Sequence, residues 1–215
     1  MRYLMPLALL LAAPVSADLV LNYNGFYGRM KKLQQPQYSD ITLAFALTEQ
    51  QSGLPCQFYQ LKLVSDRHDL SLEMAGNGEI SLPYDEALKD SNAVLQVLQA
   101  DNSASCQVQF RLRSRMRLPT ELTLSQLQHY RSQFDVLLDD MSGMSKYWLP
   151  DVIGVIVEFA DDVTMPPLSS ATAAVTSCQG KRCVIRLDTV LTEDSRWLFQ
   201  QRPIYLLPLI DVNAN

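Results

Sequence analysis

The chain has 215 residues, 47% of them hydrophobic and 19% charged, with a formal net charge of −5. That excludes a disordered polar chain and leaves room for one large domain or two of about 100 residues. The acidic balance argues against a nucleic-acid partner, because phosphate binding draws on clustered Lys and Arg.

The first segment reads as an export leader. Met1-Arg2 is a short basic start, Leu4 to Ala13 is apolar apart from Pro6, and Pro14-Val15-Ser16-Ala17 resembles a secretory cleavage site before Asp18. The run falls short of the roughly 20 apolar residues a membrane-spanning helix needs, and no later segment approaches that length. Cleavage would therefore give a soluble periplasmic protein with no transmembrane segment. Position 18 is Asp rather than Cys, so a lipid-anchored N-terminus is not indicated.

Phe26, Tyr27, Met30 and Leu33 fall at helical spacing, with Pro36 as a stop. Residues 40–49 alternate through Ile41, Leu43, Phe45 and Leu47 as a half-buried strand should. Strands are predicted at 57–64 and 69–74. Gly76-Asn77-Gly78 turns into Ile80 and Leu82, and a short helix near 84–89 precedes a strand over 94–99. A polar loop then enters a long strand over 106–117. Pro119-Thr120-Glu121 is the natural seam between an N-terminal half (18–118) and a C-terminal half (119–215). Thr123-Leu124-Ser125-Gln126 matches a capping box. Leu127, Tyr130, Phe134, Leu137, Leu138 and Met141 form one helical stripe that ends at Gly143. Strands follow at 152–159, 184–187 and 204–210, with a short helical stretch near 192–199. The two halves repeat a similar order of elements. The expected fold class is α+β: mainly antiparallel sheet with one long and several short helices.

The four cysteines, Cys56, Cys106, Cys178 and Cys183, read as disulfides in an oxidising compartment. Three connectivities are open, and spacing favours Cys178–Cys183 with Cys56–Cys106. The first pair brackets Gln179-Gly180-Lys181-Arg182, a four-residue loop between strand-like flanks. Catalytic dithiols prefer C-x-x-C at a helix start, and zinc would need further ligands beyond His68 and His129.

At this point the chain resembles a family of secreted proteins of Gram-negative bacteria known only as a domain of unknown function. The features that carry the likeness are the leader followed by Tyr23 and the Met30-Lys31 helix, the separated Cys56 and Cys106, and the segment Trp148 to Phe159. The resemblance spans most of residues 18–160. It implies an envelope location and brings no activity, cofactor or catalytic residue with it.

Catalytic motifs are missing from the sequence: there is no G-x-S-x-G elbow, H-E-x-x-H, phosphate loop or EF-hand loop. No catalytic residue, metal ligand or cofactor is assigned. His68 and His129 read as surface or interface histidines, Asp139-Asp140 and Asp161-Asp162 as solvated acids, and Trp148, Trp197, Tyr147 and Tyr205 as core or interface anchors. One pattern stands out. Arg111, Arg113, Arg115 and Arg117 alternate with Phe110, Leu112 and Met116, which puts four guanidinium groups on one strand face about 6.6–6.8 Å apart. Such a row could grip phosphate, carboxylates or lipid headgroups. It could equally guard an edge strand or pair with acids such as Asp69 and Glu73 on a neighbouring strand. The function expected is a non-enzymatic binding or accessory protein, its partner an anionic envelope component or another envelope protein. A carboxylate-based hydrolase and a structural partner in an assembly are the alternatives.

Overall fold

Residues 18–99, 104–142 and 150–211 are described in the structure, a computed structural model; the leader, Tyr147 and Trp148 lie outside them. The N-terminal part runs β1 (Leu19–Asn22), α1 (Tyr23–Lys32), β2 (Ile41–Glu49), β3 (Gln60–Val64), β4 (Asp69–Ser71), β5 (Glu79–Ile80), α2 (Glu86–Asp90), β6 (Val94–Leu98) and β7 (Cys106–Ser114). It continues as β8 (Glu121–Thr123), α3 (Leu124–Ser142), β9 (Val152–Glu158), α4 (Ser170–Ala174), β10 (Thr176–Gln179), β11 (Arg182–Arg186), β12 (Arg196–Leu198) and β13 (Tyr205–Ile210). The fold is α+β with antiparallel pairing, in four sheets ordered β1-β6-β3-β4, β5-β2-β7, β10-β11-β9-β13 and β12-β8.

The long strands form where alternation is strongest. β2 pairs with all nine residues of β7, from Ile41 opposite Ser114 to Glu49 opposite Cys106. Its second face carries Ala44, Ala46 and Thr48, all buried, so β2 is covered on both sides rather than half-buried. β9 has partners on both edges, β11 and β13. Gly154 sits there because a Cβ at that position would meet the Ile185 carbonyl oxygen at 2.2 Å.

Helix positions follow from caps and apolar stripes. Asn22 caps α1 by accepting from the Asn24 amide, and Phe26 packs edge-on against Phe45 with ring centroids 5.1 Å apart. The capping box of α3 forms in full. The Gln126 amide donates to the Thr123 hydroxyl (3.3 Å), and the Thr123 amide donates to the Gln126 side-chain oxygen (3.0 Å). α3 then buries Leu127, Phe134 and Leu137, while Arg131 donates to the carbonyls of Val152 (2.6 Å) and Leu187 (3.0 Å) and so ties the helix to β9.

Both disulfides form as the spacing suggests. Cys56–Cys106 joins the loop before β3 to the first residue of β7, and Cys178–Cys183 are opposed across β10 and β11. The second hairpin is tighter than expected: its loop is Gly180-Lys181, with Gly180 at φ +55°. Two other boundaries differ from expectation. The strand over 106–117 stops at Ser114, where the chain turns towards Pro119. The stretch near 192–199 is not helical; it holds β12, which pairs with β8 through Trp197 opposite Leu122. Trp197 is fully buried, its indole N–H donating to the Thr176 hydroxyl at 2.8 Å.

Candidate binding surface

β7 organises the site. Its sheet order places it at an edge, with β2 on one side only. Backbone direction can be read from the bonds beyond the ladder. The Arg115 amide donates to the Asp40 carbonyl, and the Gln50 amide donates to the Ser105 carbonyl. Odd-numbered β7 residues therefore turn their N–H and C=O towards β2, and even-numbered ones turn theirs outwards. The outward Cys106 N–H is taken by the Gln99 side-chain oxygen at 3.4 Å. At the other end the Ser114 hydroxyl accepts from the Leu206 amide of β13 at 3.0 Å. Between these two points, the outward N–H and C=O groups of Val108, Phe110 and Leu112 have no hydrogen-bond partner among the described residues.

The four arginines do not act alike. Arg113 forms a two-pronged ion pair with Glu79, Nε to Oε1 at 3.2 Å and Nη2 to Oε2 at 3.0 Å, with side chains only 16% and 12% exposed. Its guanidinium also lies 4.0 Å from the centroid of the Tyr205 ring. Arg115 donates to the carbonyls of Ser39 (3.0 Å) and Ile41 (3.2 Å). Arg111 and Arg117 have neither an ion pair nor a hydrogen-bonded side chain among the described residues. The strand with Asp69 supplies no acid to the row: β4 lies in a different sheet, and Asp69 pairs with Lys62 at 2.9 Å. Glu79, Tyr205 and the β13 contact were not legible in the spacing, because β5 pairs with β2 and β13 with β9, and only the tertiary fold brings them beside β7.

Two cavities flank this strand pair. One, of about 380 Å³, opens where β2 runs past the end of the two-residue β5, and is lined by Met30, Leu43, Glu79, Tyr84, Arg113 and Arg115. It holds one carboxylate, Glu79, already paired with Arg113. The other, of about 420 Å³, lies between β1, α1 and β7 and is mostly apolar. Leu19, Leu21, Phe26, Val108 and Phe110 line it, with Arg29 at its rim. Phe110 is 46% exposed, and the Arg29 guanidinium sits 4.7 Å from its ring centroid.

Elsewhere, the histidines settle into local networks. His68 Nδ1 lies 3.1 Å from the Ser65 hydroxyl and 3.3 Å from that of Ser91. His129 Nε2 lies 2.9 Å from Asp40 Oδ2, which also accepts from the Gln133 amide at 2.9 Å. The His129 and Gln133 hydrogen bonds hold the Asp40 carboxyl below the usual carboxylate range. Asp140, read as a solvated acid, accepts from the Tyr38 hydroxyl, and its carbonyl accepts from Lys32. Burial raises Tyr38, and the Asp140 bond adds to that rise. These contacts tie α3 to the chain around α1 and β2. Among the described residues, no group of three or more His, Cys, Asp or Glu side chains is placed to hold a metal, and no helix is long and apolar enough to cross a membrane.

No curated protein and no solved structure matches the chain. A family model described as a protein of unknown function (DUF2987) matches residues 15–159, from just before β1 through β9. That stretch holds β7, its two flanking cavities and the Cys56–Cys106 bridge, and on a match of this extent the chain belongs to the DUF2987 family.

Proposed function

We propose that the protein is exported to the periplasm through residues 1–17 and serves there as a non-enzymatic binding or accessory protein of the envelope. Its partner is engaged through Arg111, Arg115 and Arg117. The observation that carries this reading is the unequal use of the arginine row. Arg113 is committed to Glu79, whereas Arg111, Arg115 and Arg117 have no carboxylate within ion-pair distance among the described residues. On a chain of net charge −5, three cations without acids between positions 111 and 117 favour a carboxylate- or phosphate-bearing partner. Two disulfides fit an oxidising compartment.

The division into an N-terminal half (18–118) and a C-terminal half (119–215) belongs to the same proposal. In each half a helix precedes a long strand, β2 or β9, flanked by the second strand of a short hairpin and by the last strand of that half.

The test is crosslinking in intact cells from a photoreactive residue in place of Met116, which is 71% exposed between Arg115 and Arg117. A discrete envelope adduct that disappears in the Arg111→Gln/Arg115→Gln/Arg117→Gln variant supports the reading. An adduct pattern indifferent to those three substitutions contradicts it.

A further inference from the structure

We propose that β7 is a docking edge: an extended segment of a partner protein, alternating apolar and acidic side chains, adds to it as the next strand of the β5-β2-β7 sheet. The proposal deepens the reading above by naming the partner's chemistry, and it rests on that reading for the role of Arg111.

Three observations converge on this occupant. The first is the backbone. Val108 and Phe110 present outward N–H and C=O groups that no described residue satisfies, one residue apart and in the repeat an added strand would match. The second is the α1 side of that edge. Val108 and Phe110 project into the apolar cavity of about 420 Å³ that Leu19, Leu21 and Phe26 complete, so every second side chain of an added strand would enter an apolar groove. The third is the opposite face. There Gln107, Gln109 and Arg111 follow one another, and Arg111 has no acid of its own. The intervening side chains of an added strand would lie beside this row, where a carboxylate opposite Arg111 is the favourable cross-strand neighbour.

Edge strands in native sheets are usually blunted by proline, by a bulge, by charged side chains or by a covering element. On β7 the charges are Arg111 and Arg113, and Arg113 is neutralised by Glu79. β7 has no proline, and its nine-residue register with β2 is unbroken. β13 reaches β7 at Arg113 and Ser114. A lipid headgroup would satisfy Arg111 but leave the Val108 and Phe110 backbone groups without a partner, which favours a peptide.

The probe is the capped peptide Ser-Val-Glu-Val-Glu-Val-Ser, titrated into the isotope-labelled chain beginning at Asp18. The expected result is saturable binding that shifts and protects the Val108 and Phe110 amides. Replacing Glu by Lys in the peptide should weaken binding about fivefold, and Arg111→Gln should erase that preference. Val108→Pro should abolish binding. It removes an outward N–H, not a ladder bond to β2, and thermal melting checks that the variant folds. Should that variant fail to fold, the same peptide N-methylated at alternate residues tests the backbone pairing on the unmodified protein, and loss of binding is expected.

Absence of binding, or binding indifferent to both Val108→Pro and N-methylation, overturns the proposal. So does a dimer dissolved by Val108→Pro in a protein that ignores the peptide, since the occupant would then be a second copy. Loss of the envelope crosslink in the triple arginine variant without peptide binding would overturn this inference alone. Peptide binding with an unchanged crosslink would overturn the broader reading alone.

Discussion

β9 and β7 are both long antiparallel strands, yet β9 lies inside its sheet and β7 at the edge of its own. β9 is paired on both edges, and its Gly154 lets the β11 backbone approach closer than any side chain would allow. β7 is paired on one edge and carries Arg111 and the half-exposed Phe110. Its outward amides lie open between Gln99 at one end and β13 at the other. A strand satisfied on both edges has only packing left to do, whereas one left open in the middle has backbone groups free for a partner.

Stability should therefore be sensitive where β7 is anchored and insensitive along its open middle. The largest effect is expected from Cys56→Ser with Cys106→Ser. The bridge spans 50 residues, and removing it should cost about 4 kcal/mol in a denaturant titration. The Cys178–Cys183 bridge, with a separation of 5, should contribute about 2 kcal/mol by the same measure. Gly154→Ala falls between them at about 3 kcal/mol, since backbone rather than a movable side chain blocks the added methyl. Arg113→Gln should cost about 2 kcal/mol by leaving Glu79 half-desolvated without its partner. Arg111→Gln should change stability by less than about 0.5 kcal/mol, measured in the same titration. Equal losses at Arg111 and Arg113 would erase the distinction between a structural and a free arginine.

A smaller, pH-dependent effect is expected where α3 meets the N-terminal half. The folded-state pKa of Asp40 is depressed by His129 and Gln133, so its contribution is present above the ordinary value of 3.8 and is lost as pH falls through the lower folded value. Asp40→Asn should lower the neutral plateau and flatten the acid limb of the stability curve, leaving stability below the folded pKa of Asp40 little changed. An unaltered acid limb would show that the His129 contact is inconsequential in solution.

What could be read in advance followed from local physics. The disulfide pairs were legible because Cys178 and Cys183 sit at hairpin spacing, and the start of α3 was legible because Thr123 and Gln126 carry the reciprocal cap. β9 was expected over 152–159, and the strands β2 and β7 were legible through alternation. The end of β7 was not: Arg115-Met116-Arg117 continues the period, but the chain leaves the sheet after Ser114. β8 and β12 were missed because three-residue strands have too few positions to show a period. The fate of the arginine row was also hidden. Whether an arginine meets an acid depends on β5 bringing Glu79 across β2 to Arg113, 34 residues away. Sequence spacing showed a row of four equals, and tertiary pairing divided it into one buried ion pair, one backbone clasp and two cations without a partner among the described residues.

Residue-resolved amide exchange of the unliganded protein reads the open edge of β7 directly. Along β7 alternating protection is expected: Gln107, Gln109 and Arg111, bonded to β2, exchange slowly, while Val108 and Phe110 exchange fast. Residues Val155 to Val157 of β9, paired on both sides, should be slow without alternation. Uniform protection through residues 107–111 would mean the outer edge of β7 is already covered, and would contradict the account.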